Sequence, residues 1–386
     1  MNTVCKENLC DGCMACVDVC NQKAITVKDD IQYFNAVIDE DKCVKCGKCY
    51  RVCQRNNSVG FSTPRKWMQG WAKDANSRKK SASGGFAFEI AKKFISEGGL
   101  VYACSFKGGK FKYHFYDDID SLVEIRGSNY VKSNPEGGYA KACELLKAGR
   151  KVLVIGLPCH IAAFRNSIPI DIQENLYLVD LICHGTPSSK LLECFLKQYG
   201  ISLDRIGKIK FRNKERFALG EIGVVQEGVI DRYTMAYLNS ILHTENCYNC
   251  KYATINRCSD LTIGDSWGSK LEQSEIASGI SLAMAINEKG LSLMDSADLI
   301  LKDVDSDIAT AANRQLNGTS IKPPEYSVFY KYFNKGKSFN YSVYKCFPKL
   351  AIKQDIKSIL IRLKLYKGGV IPYRISVVIS DDNLEE

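Results

Sequence analysis

Residues 10–53 read CDGCMACVDVCNQKAITVKDDIQYFNAVIDEDKCVKCGKCYRVC and contain two copies of one cysteine spacing. Each copy has the form C-x2-C-x2-C-x3-C, which brings three thiolates together in a tight loop and adds a fourth. The cysteines of the two copies are Cys10, Cys13, Cys16, Cys20 and Cys43, Cys46, Cys49, Cys53. A four-iron cluster is bound by four thiolates that converge on one point. The spacing therefore predicts two 4Fe-4S clusters in this part of the chain.

The same stretch resembles the bacterial two-cluster ferredoxins over roughly residues 5–56. In those proteins the fourth cysteine of each run binds the cluster of the other run. The resemblance implies one cluster on Cys10, Cys13, Cys16 and Cys53, and another on Cys20, Cys43, Cys46 and Cys49. Asn21 and Gln54 replace the proline that usually follows each run, a change that affects loop stiffness more than cluster identity.

Two other uses of clustered cysteines fit this spacing less well. Zinc sites use two C-x2-C pairs rather than two evenly spaced quartets. A disulfide framework needs an oxidising compartment, and nothing at the N-terminus reads as a secretory signal. With 18 cysteines and no such signal, the sequence predicts a cytoplasmic protein that binds metal.

The composition is that of an ordinary globular chain with a mild positive charge. Apolar residues make up 45% and charged residues 25% of the 386 residues, and no apolar run approaches the ~20 residues of a membrane span. The formal net charge is +10, and each oxidised cluster with its thiolates contributes about −2. No nucleic-acid recognition motif occurs. The charge therefore favours ferredoxin or another acidic redox protein, or an anionic small molecule or coenzyme, over nucleic acid.

The sequence predicts an α/β protein in four segments. We expect a ferredoxin-like α+β unit at residues 1–56, a linker at 57–66, a larger α/β domain at 67–335 and a basic helical extension at 336–386. Between residues 139 and 200 helix patterns alternate with buried-strand patterns, which is typical of a partly parallel sheet. The lysine-rich extension is a candidate for docking at a membrane surface, although most such segments are solvated faces of their own domain.

Further cysteines follow two of the predicted strands of the larger domain. Cys159 and Cys183, each followed by a histidine, come after a buried strand and before a helix. In α/β proteins this edge of the sheet is where ligands bind, but either cysteine could instead be a small buried apolar residue. Cys247, Cys250 and Cys258 form a third group, which leaves a cluster or metal ion one ligand short.

A Ser/Gly-rich loop precedes the helix predicted at residues 86–95. The loop reads Ser83-Gly84-Gly85, and the free backbone N–H groups of the helix start could bind a phosphate there. The alternative is an ordinary helix start with Ser83 as the capping residue. Neither a G-x-G-x-x-G fingerprint nor a Walker loop occurs in the sequence.

Six short motifs follow one another along the larger domain. They are Ser83–Gly85, Gly127–Tyr130, Gly156–Cys159, Cys183–Gly185, Phe211–Lys214 and Cys247–Gly268. In this order they resemble the beta subunit of coenzyme F420 hydrogenase and dehydrogenase, over about residues 65–335. The resemblance implies a flavoprotein that binds FAD beside a four-iron cluster and passes electrons between its clusters and a substrate.

The resemblance also implies roles for individual residues. A third 4Fe-4S cluster would be held by Cys247, Cys250 and Cys258, with Cys159 as the fourth ligand and Cys183 as its alternative. The residues against the flavin or its phosphates would be Ser83, Gly84, Gly85, Gly127, Ser128 and Tyr130. Arg212 and Lys214 would neutralise phosphate or an acidic substrate. His184 and Asp265 would donate protons at the flavin.

Three functions are compatible with these features. The favoured hypothesis is an iron–sulfur flavoprotein oxidoreductase that passes electrons through three clusters and FAD to or from an organic two-electron substrate or deazaflavin-like coenzyme. The second is an electron-transfer subunit that relays electrons between partner proteins and has no substrate of its own. The third is a scaffold in which the third cysteine group holds zinc. The fused ferredoxin unit favours the first, because the chain then carries its own electron donors.

Overall fold

The computed structural model describes residues 2–215, 217 and 220–380. In these residues the strands are β1 (Ile25–Asp29), β2 (Phe34–Ile38), β3 (Lys66–Ala72), β4 (Leu100–Lys107), β5 (Lys110–Tyr116), β6 (Val152–Gly156), β7 (Leu176–Leu181), β8 (Ile206–Arg212), β9 (Ile222–Gly223), β10 (Leu261–Asp265), β11 (Ser281–Ala285), β12 (Leu299–Asp303) and β13 (Tyr373–Ile379).

The α-helices of the same residues are α1 (Ala15–Asp18), α2 (Lys48–Val52), α3 (Ala75–Lys80), α4 (Phe86–Ser96), α5 (Ile119–Leu122), α6 (Gly138–Lys147), α7 (Pro158–Ser167), α8 (Ser189–Lys197), α9 (Arg232–Leu238), α10 (Glu245–Tyr248), α11 (Gln273–Ser278), α12 (Glu288–Ser296), α13 (Ser306–Ala312), α14 (Pro324–Phe333), α15 (Phe339–Cys346) and α16 (Pro348–Arg362). Each of them is too short or too polar to cross a lipid bilayer.

The N-terminal unit is an antiparallel pair, β1 and β2, with one short helix in each cysteine loop. Ile25 pairs with Ile38 and Asp29 with Phe34. The inward side chains, among them Phe34 and Ala36, form a small core together with several cysteines. A core of this size leaves the cysteine loops beside the strands, which is where the sequence predicts them.

The larger domain is built on one eight-stranded mixed sheet, so the predicted α/β class with a partly parallel sheet is confirmed. The strand order is β12-β3-β11-β10-β7-β6-β4-β5. The four strands β10, β7, β6 and β4 run parallel to one another, and the outer pairings are antiparallel. The carboxyl ends of the four parallel strands therefore meet at one edge of the sheet, where ligands bind in such folds.

Helices cover both faces of this sheet. Successive residues of its central strands point to opposite faces, so each strand contributes to two cores. On β6, which is buried along its whole length, Leu153 faces the core formed with α4 and α12. Its neighbours Val152 and Val154 face the core formed with α6 and α7. Burial on both faces explains why β6 reads as a continuous apolar run rather than as an alternating one.

The N-terminal unit packs against the second of these layers. Cys13 and Val52 share a core with Tyr139 of the larger domain. The Tyr139 hydroxyl donates to the carbonyl oxygen of Cys13 at 2.5 Å. The carboxylate of Asp18 accepts hydrogen bonds from the backbone N–H groups of Gly137 and Tyr139 at the start of α6, at 2.8 and 3.1 Å. The first cysteine loop is thus fixed to the larger domain.

A third, three-stranded sheet differs from the sequence-based expectation. The extension predicted as helical over residues 336–386 contains α15 and α16, but Tyr373–Ile379 forms β13, the central strand between β8 and β9. β-branched residues fill this stretch, and Ile375 and Val377 are buried in it, which favours a strand over a helix. The last part of the predicted extension, residues 381–386, lies outside the described residues.

Candidate iron–sulfur and cofactor site

The first cysteine set consists of Cys10, Cys13, Cys16 and Cys53, and the structure brings these residues together. Burial raises the pKa of the Cys13 thiol well above its usual range, and the neighbouring Cys16, Cys10 and Cys53 raise it further. The loop reverses at Gly12 and Met14, both of which have positive φ, so that α1 begins directly beneath the thiols. This is the grouping that the ferredoxin resemblance implies.

The second cysteine set consists of Cys20, Cys43, Cys46 and Cys49, and it encloses a cavity of about 130 Å³. Apolar side chains of β1 and β2, Ile25 and Ile38, close one side of this cavity. Cys46 is exposed, so this set lies near the surface, whereas Cys10, Cys13, Cys16 and Cys53 are buried. A partner protein can therefore approach the second set more closely than the first.

Neither set has the spacing of a single-ion site. Within the part of the chain that the structure describes, no group of three or more His, Cys, Asp or Glu side chains is placed to hold one metal ion. The thiols of the second set instead surround a space. A four-iron cluster occupies the space between its ligands, so such an arrangement fits a cluster better than a single ion.

Cys5 joins the first set, which the sequence analysis did not predict. Its thiol donates hydrogen bonds to Cys10 and Cys53, and these bonds raise the pKa of Cys5 and lower the pKa of both partners. Cys5 lies outside the repeated spacing, so the pattern gave no signal for it.

The third cysteine set consists of Cys159, Cys183, Cys247 and Cys250. Burial, followed by the neighbouring Cys247, raises the pKa of Cys183 to about 12. Burial also raises the pKa of Cys159, with Cys183 and Cys250 adding to the shift. Cys159 lies in the first turn of α7, and Cys183 follows β7. Both residues proposed as alternative fourth ligands thus lie in one group.

Cys258 lies apart from this set. Its thiol is buried, and the charged groups that most affect its pKa are Asp180, Arg257 and Arg165 rather than another cysteine. The Arg257 guanidinium donates to the carbonyl oxygen of Leu181 at 2.9 Å and pairs with Asp180, which directs the chain from Cys250 into β10. Spacing along the chain could not reveal this turn.

A buried polar network joins the first and third sets. The Asp11 carboxylate accepts hydrogen bonds from Arg55 Nε at 2.7 Å, from Arg55 Nη2 at 2.5 Å and from Asn246 Nδ2 at 2.8 Å. Gln54 also donates to Asp11 and accepts a hydrogen bond from the Tyr252 hydroxyl. Burial alone would raise the pKa of Asp11, but the charge and hydrogen bonds of Arg55, together with Lys132 and Gln54, outweigh burial and lower the pKa. The network therefore contains a carboxylate and fixes the distance between the two sets.

Lys132 is the other charged group between the two sets. Its side chain is buried, and its ammonium donates to the carbonyl oxygen of Asp11 at 3.2 Å and lies 5.1 Å from the centre of the Phe34 ring. Burial lowers the pKa of this amine, but the neighbouring Cys247, Cys159, Asp11 and Cys10 together raise it more, so the net shift is upward. A cation is thus held where two groups of thiolates face each other.

A cavity of about 450 Å³ opens at the carboxyl edge of the large sheet. Eight of the ten residues predicted to bind cofactor or to act as proton donors line it, and they are Ser83, Gly85, Gly127, Ser128, Tyr130, His184, Arg212 and Asp265. The parallel strands β4, β6, β7 and β10 all contribute to the wall. The predicted residues therefore meet in one place, at the sheet edge expected for ligand binding.

Gly84 and Lys214 support the cavity wall from behind. A Cβ on Gly84 would lie 2.4 Å from the carbonyl oxygen of Gly70, so only glycine fits there. The Lys214 ammonium donates to the carbonyl oxygens of Ser83 and Arg78. Burial, with the nearby charges of Arg212 and Arg78, lowers the pKa of Lys214 to about 8. These two residues hold the Ser83 loop so that the start of α4 faces the cavity.

One wall of the cavity is aromatic. The rings of Tyr130 and Tyr237 stack with their centres 4.5 Å apart and their planes 9° apart, and Tyr373 lies 6.4 Å from Tyr130. The Arg212 guanidinium lies over the Tyr373 ring at 4.9 Å. Tyr237 and Tyr373 come from α9 and β13, and the sequence analysis predicted neither, because such residues read only as core. A flat wall of this kind suits a planar ring system.

The two predicted proton donors have different surroundings. Arg212 Nη1 donates to both carboxylate oxygens of Asp265, at 3.0 and 2.8 Å, so that Asp265 is engaged as the acceptor of an ion pair. The His184 side chain is accessible from the cavity. The surrounding cavity walls shield its imidazole from bulk solvent, and this burial lowers the pKa of the imidazole. His184 is therefore neutral near pH 7 and presents a ring nitrogen that can take or give a proton.

The cavity and the third cysteine set share one segment of chain. Residues 183–186 line the cavity, and Cys183 belongs to the third set. The backbone N–H of Thr186 donates to the sulfur of Cys247 at 3.5 Å. Beneath the segment, a Cβ on Gly185 would lie 2.6 Å from Nδ1 of His243, so the chain passes here only as glycine. The segment 183–186 thus borders both the cavity and the third set.

Two parts of the chain match known protein families. Residues 149–304 match the family model for the C terminus of the coenzyme F420 hydrogenase/dehydrogenase beta subunit. Residues 9–57 match the 4Fe-4S dicluster domain. The chain thus carries a region similar to the C terminus of the coenzyme F420 hydrogenase/dehydrogenase beta subunit, preceded by a match to a 4Fe-4S dicluster domain. The two resemblances predicted from the sequence are confirmed.

Other comparisons are sparser. No curated protein matches the chain. Among solved structures, a chain of the F420-reducing [NiFe] hydrogenase complex from Methanosarcina barkeri, studied by xenon derivatization, is similar at 16% sequence identity with a TM-score of 0.45. The match covers 81% of the present chain and 97% of that chain.

The two family-model matches indicate the general chemistry of the chain. The dicluster domain supports two 4Fe-4S clusters, and the first and second cysteine sets are the thiols that would bind them. The chain is an iron–sulfur electron-transfer oxidoreductase related to the F420 hydrogenase beta subunit.

Proposed function

We propose that the protein is an iron–sulfur flavoprotein oxidoreductase that exchanges electrons between its N-terminal clusters and an organic two-electron substrate. In this proposal the third cysteine set holds a third 4Fe-4S cluster and the large cavity binds FAD. The observation that carries the proposal is the segment 183–186, which borders both the cavity and the third set. A substrate at the cavity mouth would complete the path.

The donor set of the proposed third cluster differs from the one expected from spacing. Cys159, Cys183, Cys247 and Cys250 influence one another electrostatically, whereas Cys258 is surrounded by the charged side chains of Asp180 and Arg257. Four cysteine thiols in one group are the usual ligands of a four-iron cluster. We therefore propose the first four residues as ligands and assign Cys258 a packing role.

The cavity has features that suit FAD. A flat aromatic wall with Tyr130 can face a planar ring, and the N-terminal end of α4 at Gly85 presents backbone N–H groups to a phosphate. Gly127, with φ of +113°, gives the facing loop a turn that other residues rarely adopt. Arg212 is already paired with Asp265, so we assign it a positioning role at the ring rather than the binding of a free phosphate.

A flavin takes electrons one at a time from clusters and transfers two together as a hydride, which is the chemistry that FAD would supply here. The residues around it would bind it, exclude water and manage protons. His184, neutral and exposed to the cavity, is our candidate to exchange a proton with the substrate. Asp265 and Arg212 would keep the charge at the cavity floor fixed. A deazaflavin-like coenzyme or another organic hydride acceptor is the substrate class that fits.

The proposal is tested by counting cofactors in anaerobically purified protein. We expect about twelve irons and one FAD per chain, because three four-iron clusters need about four irons each. Cys183→Ala and Cys159→Ala should each lose about four irons, whereas Cys258→Ala, a matched buried cysteine of the same region, should keep all of them.

The N-terminal clusters serve as the folding control in this experiment, since at least about eight irons should remain in every variant. Loss of four irons in Cys258→Ala but not in Cys183→Ala would refute the proposed ligand set. A protein with about eight irons, one zinc and no flavin would refute the flavoprotein proposal as a whole.

A further inference from the structure

Helix α16 carries a row of apolar side chains that point into solvent. The apolar row consists of Ile352, Ile356, Ile359 and Leu363, at positions i, i+4, i+7 and i+11, which places them on one face of the helix. Their exposed fractions are 45%, 52%, 55% and 61%. Leu365 and Tyr366, directly after the helix, are exposed as well. Singly exposed apolar residues are common, but an ordered row of four indicates an interaction surface.

The opposite face of α16 is fastened to the rest of the protein. Ala351 and Gln354 are buried, and Gln354 accepts a hydrogen bond from the backbone N–H of Ile230 at 3.2 Å. Arg232 donates to the carbonyl oxygen of Ala351 at 3.1 Å and pairs with Asp355 at 2.6 Å. The helix is therefore held in place, and the apolar row is presented outward rather than left over from a loosely packed end.

Positive charge surrounds the apolar row. Between residues 348 and 367 the sequence has six basic residues and one acidic residue, Asp355, which Arg232 already neutralises. The lysine row, which consists of Lys349, Lys353 and Lys364, is exposed along one flank of the apolar row. An apolar face edged by lysines is the pattern of helices that lie in the interface of a membrane, where the apolar side chains enter the headgroup region and the lysines meet anionic lipid.

We propose that α16 docks this protein on the surface of an anionic lipid membrane, with its axis parallel to the plane of the bilayer. A second copy of the chain is a poorer occupant, because a symmetric contact through this face would bring two lysine rows together and like charges would repel. The inference is independent of the proposed flavin chemistry, since it rests on α16 alone.

The test is cosedimentation of the full-length holoprotein with lipid vesicles. Vesicles of equal parts phosphatidylglycerol and phosphatidylcholine should bind the protein, vesicles of phosphatidylcholine alone should bind it much more weakly, and added salt should weaken binding to the former. Ile356→Ser and Ile359→Ser should each lower the partition coefficient about tenfold, because each loses the burial of one large apolar side chain. Lys349→Glu combined with Lys353→Glu should lower it as well.

Matched controls come from other surfaces of the same chain. Ile170 is 89% exposed outside α16, so Ile170→Ser should leave the partition coefficient unchanged. Lys147→Glu with Lys151→Glu makes the same charge change on α6 and the residues after it, and it should reduce binding less than the α16 pair. An unchanged iron content verifies that each variant is folded.

Three results would overturn the proposal. The first is equal binding of the Ile356→Ser and native proteins to anionic vesicles. The second is the absence of binding to either vesicle. The third is a dimer in sedimentation analysis that Ile356→Ser dissociates, which would assign the face to a second copy of the chain.

Discussion

At the scale of single residues, Lys132 is the side chain with the largest expected effect on electron transfer. Its ammonium lies between the first and third cysteine sets, close to Cys10, Cys159 and Cys247. A buried positive charge stabilises the reduced, more negative state of a neighbouring cluster and so raises its reduction potential. Lys132 would thus stabilise the reduced state of a cluster at the junction of the two sets.

We predict that Lys132→Met lowers the potential of the cluster on the first set by on the order of 70 mV, the value for one charge at about 10 Å in an effective dielectric of about 20. Potentiometric titration followed by electron paramagnetic resonance measures this shift. Lys132→Arg keeps the charge and is the control. Equal potentials in the Met and native proteins would exclude an electrostatic role for this residue.

Residue identities were predictable from the sequence only where a spacing or motif pointed to them. The repeated cysteine spacing predicted two four-iron clusters, the ferredoxin resemblance implied how their cysteines divide into the first and second sets, and the motifs predicted most of the residues that line the cavity. Lys132 had no such signal, because a lysine between serine and valine reads as surface. Cys258 was assigned with Cys247 and Cys250 because spacing is blind to the direction in which Arg257 turns the chain.

At the scale of elements, the contact that fixes the position of the N-terminal unit joins its two cysteine loops to α10, the helix that contains Cys247. It depends on the buried pair of Asp11 and Arg55, whose side chains are 2% and 7% exposed. Each loop has its own fold, but this pair and Asn246 fix their relative position. A buried ion pair of this kind contributes little net stability when it is intact. Removal of one partner is strongly destabilising, because the other charge is then left buried and unpaired.

We predict that Arg55→Met destabilises the protein by roughly 3–5 kcal/mol, because it leaves the Asp11 carboxylate buried without its cation. Anaerobic thermal unfolding measures the loss. The double variant Asp11→Asn/Arg55→Met should be less destabilised than Arg55→Met alone. Arg65→Met removes the exposed pair with Glu288 and should change stability by less than about 1 kcal/mol.

If Arg55→Met and Arg65→Met had equal effects on unfolding, the network would not couple the N-terminal unit to the larger domain. The rate at which a chelator removes iron is a second measurement. Arg55→Met should speed this loss, because a weaker contact exposes the first set.

Helices and strands whose apolar residues recur at a clear period were predictable from the sequence. The strands with which they pair were not. The alternation between residues 139 and 200 predicted β6, α7, β7 and α8. The strand β13 was predicted as part of a helical extension, because its pairing with β8 is a contact distant in sequence. The short β9 contains only Ile222 and Gly223, the two residues that pair with β13.

At the scale of the whole molecule, the large cavity is assembled from distant parts of the chain. Ser83 precedes α4, Tyr237 belongs to α9 and Tyr373 begins β13. β13 lies between β8 and β9, so it holds the small sheet together and places Tyr373 beside Arg212. The N-terminal unit, in contrast, is formed within about the first 57 residues of the sequence.

We predict that a chain truncated after Gly369 keeps the irons of its first and second sets but loses bound flavin. The truncation removes β13 with the buried Ile375 and Val377, and each such side chain contributes about 1–3 kcal/mol to stability. Iron and flavin counts on the purified protein measure both effects. Retention of stoichiometric flavin would contradict the role given to β13.

The position of β13 also has a consequence for biosynthesis. The ribosome releases residues 10–53 early, so both N-terminal cysteine sets can receive iron while translation continues. The third set is complete only after Cys250 has emerged. The wall of the large cavity is completed later still. It requires that Tyr373 has left the exit tunnel and that β13 has inserted between β8 and β9, which are synthesised long before it. The order of synthesis therefore sets the order of maturation, with iron–sulfur assembly first and closure of the cavity last.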